Sequence, residues 1–198
     1  MLKSIVTKTF YRLSSIVLIL LQISCVQDKK RENIIVASAG KIESLDPAQA
    51  NTLRTLQILS ALGDTLYKIN KQGNLYPSLA KDLPIVGKNG LVIDIPLKEN
   101  IIFHDGTIFN AQAMAFSLKR FMRIGTLNYL LNDIIEDIEI RDELLIRIKL
   151  KKPSSSLKRI LTSVNLTPVS PNSYSKYKDS FNNKAFIGTG PYILESFN

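Results

Sequence analysis

Between residues 51 and 66 the leucines fall at 53, 56, 59, 62 and 66, in steps of three or four that put one apolar stripe on a helix. Asn51 or Thr52 can cap its first turn, and Gly63 interrupts it. A second periodic run begins at Asn110, where Ala111, Met114, Ala115, Leu118, Phe121 and Met122 follow helical spacing closely. Other stretches alternate instead. Leu91, Ile93, Ile95 and Leu97 share one face of a strand, although Pro96 cannot donate to a ladder and so points to an edge or a bulge. Ile34 to Ala37 reads as a first short strand whose exit loop runs to the turn-forming Asp46 and Pro47, and Ile101 to Phe103 as another ending at Asp105 and Gly106. A hairpin-like stretch at Asn70 to Gly73 leads to Pro77, which suits the first position of a short helix that Pro84 must end.

Residues 136–150 predict a hairpin whose register follows from its side chains. With Asp142, Glu143 and Leu144 as a three-residue loop, Ile140 faces Ile146, Ile138 faces Ile148, Glu139 meets Arg147 and Asp137 meets Lys149. A two-residue loop would set Ile138 opposite Arg147 and scatter both faces, so the first register is favoured. Pro153 and Ser154 start a helix through Ile160 and Leu161, Val169 to Pro171 turns the chain, and Gly188 to Tyr192 feeds a last strand. No internal repeat is visible, and helices and strands are interspersed, so the fold class is mixed α and β.

The N-terminus has a different pattern. Lys3, Lys8 and Arg12 come with no acid, and an apolar stretch of about 11 residues follows from Leu13, a secretory-signal pattern too short to span a bilayer as a helix. Ser24 directly before Cys25 resembles the bacterial lipobox, in which the cysteine receives a diacylglycerol and becomes the mature N-terminus. Gln22 stands where that motif usually has Leu, Val or Ile. A plain signal peptide cleaved nearby and a retained N-terminal helix are the alternatives. The expected organisation is a signal peptide over 1–24, a charged tether over 25–33 and a folded domain over 34–198. The 198 residues hold 26 Lys or Arg against 17 Asp or Glu, and removing 1–24 leaves 23 − 17 = +6. The remaining cations, in pairs such as Lys119 and Arg120, Lys151 and Lys152, and Lys158 and Arg159, read as solvated surface. No stripe of bases and stacking rings suggests nucleic acid.

One Cys and one His cannot build a zinc cage, an iron–sulfur site or an internal disulfide, so no metal or cofactor is expected. His104 beside Asp105 invites a catalytic reading, a secreted hydrolase, but no nucleophile is positioned with it. The pair sits at a turn where neighbouring side chains point apart. Gly188 and Gly190 lack the context of a phosphate cradle and suit a place where backbones pass closely. Tyr174, Tyr177 and Tyr192 read as core or surface aromatics rather than a stacking ladder.

Five ordered segments resemble the amino-terminal part of the family 5 extracellular solute-binding proteins, the peptide and nickel receptors of ABC importers. The most specific is Leu97-Lys98-Glu99-Asn100-Ile101-Ile102-Phe103-His104-Asp105-Gly106-Thr107-Ile108-Phe109-Asn110-Ala111 with Phe116-Ser117-Leu118 after it. Ser44-Leu45-Asp46-Pro47-Ala48, Pro77-Ser78-Leu79-Ala80, Val169-Ser170-Pro171 and Gly188-Thr189-Gly190-Pro191-Tyr192 support it. Ala113 stands where the family usually has an acid, and the tryptophan common after Leu79 and Ala80 is missing. The resemblance implies part of a type II periplasmic-binding-protein-like lobe of cluster C, with the second lobe absent. It further implies a binding protein with no catalytic residue, anchored outside the cytoplasm by lipid on Cys25 and delivering an oligopeptide or related small solute to membrane permease subunits. Ser38, Ala39 and Gly40, with Leu45 and Asp46 beyond, are the expected ligand-facing residues. Asp46 also reads as a turn former before Pro47. The rival reading is a truncated member without solute capture, acting as an interaction lipoprotein or as a non-functional fragment.

Overall fold

The computed structural model describes residues 33–37, 40, 42, 44–177 and 186–196, arranged in two units, Met1–Gly40 and Lys41–Asn198. The signal peptide, Cys25 and most of the tether lie outside the described residues, as do Ser38 and Ala39. In the first unit Asn33 to Ala37 carry no strand, and Ile34, Ile35 and Val36 are exposed. The strand expected there is corrected: β-rich residues become a strand only where another strand takes up their backbone hydrogen bonds.

The second unit opens with Asp46 capping a single 3-10 turn, Pro47–Gln49, its carboxylate accepting from the Ala48 amide at 3.1 Å. Helix α1, Leu53–Leu62, follows; Thr52 is its cap, with its hydroxyl accepting from the Thr55 amide, and it stops at Gly63. Strands β1, Tyr67–Ile69, and β2, Leu75–Pro77, form the small hairpin around Asn70 to Gly73. The short helix expected from Pro77 does not form. Pro77 closes β2 opposite Tyr67, and the amides beyond it are claimed by tertiary partners: Ser78 and Ala80 donate to the Leu66 carbonyl, Lys81 to that of Pro96.

The main sheet is antiparallel throughout, in the order β3-β4-β6-β5, with β3 at Ile85–Val86, β4 at Val92–Pro96, β5 at Ile135–Asp142 and β6 at Leu145–Leu150. Strand β4 is therefore interior rather than an edge, and Pro96 is tolerated because β3 pairs only as far as Asp94. The β5–β6 register is the expected one, with Ile140 opposite Ile146, Ile138 opposite Ile148, Glu139 opposite Arg147 and Asp137 opposite Lys149. The loop is shorter than expected. Asp142 pairs with Leu145, leaving Glu143 and Leu144 as the turn, and an irregularity between Ile140 and Asp142 absorbs the extra residue. Arg147 stands between Glu139 on β5 and Asp94 on β4 and forks Asp94, both bonds 2.7 Å, while Lys149 takes Glu139.

Helix α2, Ala111–Ile124, packs across β5 and β6. Asn110 caps it by accepting from the Ala113 amide at 3.0 Å, and Met114, Leu118 and Phe121 are buried beneath it among Ile93, Ile95, Ile138, Ile146 and Ile148. Among the described residues the unit adds three short α-helices, α3, Tyr129–Asn132; α4, Leu157–Ile160; and α5, Pro171–Tyr177, with a second 3-10 turn at Val164–Leu166. A second, smaller apolar cluster gathers Leu45, Leu59, Leu62, Val169 and Phe186. The last strand expected after Gly188 is absent among the described residues. The backbone of that segment bonds instead to His104, Leu62 and Ala61.

Candidate functional site

Two polar centres hold the second cluster in place. In the first, Arg120 of α2 forks the Asp46 carboxylate, with Nη1 to Oδ1 at 2.8 Å and Nη2 to Oδ2. Both side chains are nearly excluded from solvent. The Tyr174 ring lies 4.7 Å from the guanidinium carbon and packs edge-on against Phe116. Burial works against the charge of Arg120, but the hydrogen bond and attraction of Asp46 outweigh it and its pKa is raised. Asn165 completes the centre, its amide donating to the carbonyls of Pro47 and Ala50 at 2.9 and 2.7 Å. Arg120 is thus not the solvated surface cation the sequence suggested. Its place four residues after Phe116 and three after Ser117 puts it on the arc that α2 buries, and that was the available signal.

The second centre joins the His104-Asp105-Gly106 turn to Gly188-Thr189-Gly190. The backbone amide of His104 donates to the Gly188 carbonyl at 2.9 Å, and its ring Nε2 meets the Gly190 carbonyl at 2.8 Å. A carbonyl only accepts, so Nε2 carries the proton. Asp105 faces elsewhere: Ser170 donates to one oxygen at 2.6 Å, and the Thr107 amide and hydroxyl donate to the other at 3.0 and 2.6 Å. Burial opposes that carboxylate's charge, yet these bonds prevail and hold its carboxyl below the usual range. Among the described residues no carboxylate is hydrogen-bonded to the imidazole.

The glycine segment is a close backbone crossing. Gly190 donates to the Leu62 carbonyl at 3.0 Å, Tyr192 to that of Ala61 at 3.3 Å, and the Thr189 hydroxyl accepts from the Asp64 amide. A Cβ on Gly188 would lie 2.3 Å from the Leu62 oxygen. With the Gly190 amide already engaged, the loop is not arranged to cradle a phosphate.

Of the expected ligand-facing residues, Gly40 is exposed in the first unit, whereas Leu45 is wholly buried and Asp46 is held by Arg120. Within the second unit, an open polar groove of about 430 Å³ is lined by Ser44, Gln49, Asn51, Thr52, Thr55 and Thr126. Sequence reasoning gave Asn51 or Thr52 a capping role and Ser44 a place in a family-like segment, but it read none of the six as ligand-facing. Tyr192 is half exposed, and nothing is described of the Tyr177 side chain. No group of three or more potential metal ligands occurs among the described residues, and none of their helices is long and apolar enough to cross a membrane.

Comparison with known proteins places this geometry. The family model described as bacterial extracellular solute-binding proteins, family 5 Middle, matches residues 74–198. The glutathione-binding protein GsiB of Escherichia coli O6:K15:H31 (strain 536 / UPEC) is 31% identical over 169 residues, covering 84% of this chain and 33% of GsiB. The structure of Listeria monocytogenes OppA bound to peptide matches with a TM-score of 0.72 at 19% identity, over 78% of this chain and 34% of that one. That of NikZ from Campylobacter jejuni in complex with Ni(L-His) matches with a TM-score of 0.68 at 25% identity, over 80% and 32%. The chain therefore spans about a third of the length of the curated relatives it matches. Across that third the chain belongs to the bacterial extracellular solute-binding proteins of family 5.

Proposed function

We propose that this chain acts as the extracytoplasmic substrate-binding component of an ABC importer, taking an oligopeptide or a related small solute. The observation that carries the reading is one stretch of chain that matches the family over 74–198 and shares its fold with OppA solved with peptide and NikZ solved with a nickel–histidine complex. Family 5 proteins bind rather than transform their ligands, so the mechanism involves no bond chemistry. Solute is held between lobes that close on it, and the permease responds through its different affinity for the open and closed forms. In this reading the ligand face falls to Ser38, Ala39 and Gly40. Leu45 and Asp46 fix the chain where it enters the compact unit. The Gly188 to Tyr192 crossing serves as a hinge-side element.

The proposed address rests on the N-terminal sequence: residues 1–24 direct export, and a lipid on Cys25 holds the protein at the membrane through the tether to Asn33. Feeding cells an acyl-chain precursor labels the parent and not Cys25→Ala; equal labelling sinks the anchor. For the solute, calorimetric titration of the longest product purified from cells, against short peptides, glutathione and nickel–histidine, shows saturable heat for one class. Silence across all three overturns the importer reading.

A further inference from the structure

One end of the main sheet carries a surplus of positive charge. The β3–β4 turn, 87–90, and the segment after β6, 151–156, meet there: a Cβ on Gly90 would lie 3.3 Å from the Pro153 Cβ, and Leu150 donates to the Leu91 carbonyl at 2.8 Å. Lys88 rides on the first, Lys151 and Lys152 on the second, and Lys158 and Arg159 on the single turn of α4 that follows. Lys158 is half-buried and the other four are exposed. None of the five is in a salt bridge among the described residues, and Lys151 spends one proton on the Asn132 carbonyl. Residues 144–178 contain no acid at all. Asp133 and Glu136, near the start of β5, bring two negative charges to this end, leaving 5 − 2 = +3.

We propose that this end of the sheet docks electrostatically on anionic phospholipid. The cations sit on turns and a helix, and residues 87–90 and 151–159, which carry them, contain no aromatic residue. That suits a diffuse charged plane better than a shaped protein partner or a strand of stacked bases. Each Lys or Arg brought within a Debye length of an anionic leaflet adds to the attraction, with no need for a complementary surface. The inference takes from the preceding section only that the protein works beside a membrane, and its test does not depend on solute or on the acyl group.

The test uses the full chain with Cys25→Ser, so that acylation is absent, against vesicles of phosphatidylcholine alone or with phosphatidylglycerol. The sedimented fraction is expected to be higher on the anionic vesicles and to fall toward the neutral value in half-molar salt. Replacing Lys88, Lys151, Lys152, Lys158 and Arg159 by Gln should weaken anionic binding by about tenfold or more. A control that removes as many charges elsewhere, at Arg54, Lys71, Lys81, Lys98 and Arg123, should weaken it by no more than about twofold. Thermal unfolding of each variant separates lost binding from lost fold. Equal loss in the two variants assigns the effect to net charge and overturns the proposal, as does indifference to lipid charge. If the first variant keeps its vesicle binding but loses association with a membrane protein, that protein is the occupant and the proposal fails.

Discussion

Arg120 closes on both oxygens of Asp46 across 74 positions of sequence, and the two side chains are only 4% and 5% exposed. The pair ties the turn that opens the compact unit to the centre of its longest helix, with Asn165 holding two carbonyls of the same turn. Removing one partner strands a buried charge, which costs about 3–5 kcal/mol, whereas replacing both with apolar groups can be nearly neutral. Asp46→Ala and Arg120→Met should each lower unfolding free energy by that amount, and the double variant by clearly less than their sum. Denaturant melts of all four proteins measure it. Additive losses would mean that the two residues act separately.

The imidazole of His104 fastens the glycine crossing from one side while α1 fastens it from the other. His104→Ala removes the bond to the Gly190 carbonyl and leaves the backbone bond to Gly188, a loss of ~1 kcal/mol in local stability. Amide exchange at Gly190 and Tyr192 should accelerate about fivefold. Exchange at Leu118, inside α2, should not change. A crossing indifferent to the substitution would show that α1 alone secures it.

Glycines here serve two separate purposes, and alanine scanning should split them. At Gly188 the added methyl would meet the Leu62 oxygen at 2.3 Å, and at Gly190 the Gly63 nitrogen at 2.6 Å, so backbone has to move. At Gly73 nothing lies within 4 Å, and only its φ of 83° resists a side chain. Alanine should cost about 1–3 kcal/mol at each crossing glycine and about 1 kcal/mol at Gly73, read from denaturation midpoints. A larger loss at Gly73 than at Gly188 would refute the close-crossing account.

Much of the second unit was legible in the sequence, and the reasons lie in particular residues. Both long helices follow from local spacing, with Asn51 or Thr52 the expected cap of the first, and the β5–β6 register follows because only one alignment sorts both isoleucines and charges. What escaped was decided by distant partners. Pro77 could open a helix locally, but the Leu66 and Pro96 carbonyls claim the amides beyond it. Arg147 faces Glu139 as expected and still forks Asp94, a choice set by β4 lying alongside. Arg120 carried only its position on the buried arc of α2. Its partner 74 residues away is not written in any local pattern. Of the five expected ligand-facing residues, Ser38, Ala39 and Gly40 are small and offer no spacing or charge to reason from, while Leu45 is taken up by the core and Asp46 by Arg120.

Acid stability provides the last check. Ser170 and Thr107 favour the charged form of Asp105, and Arg147 does the same for Asp94 through hydrogen bonds and attraction, so both carboxyls titrate below their ordinary range in the folded protein. In the unfolded chain they return to about 3.9. A carboxyl depressed on folding contributes stability above the unfolded value and loses it as pH falls through the folded one. Ser170→Ala moves the folded Asp105 value back up, so the variant should be less stable than the parent at pH 7, and the gap should narrow steadily below about pH 4. Part of the gap will persist in acid, because Ser170 also accepts from the Ser173 amide and meets Thr107, and neither contact needs a charged carboxylate. Urea titrations at pH 7, 5, 4 and 3 separate the two contributions. A gap constant across that range would show that the Ser170 hydroxyl supports the turn without favouring the ionised Asp105.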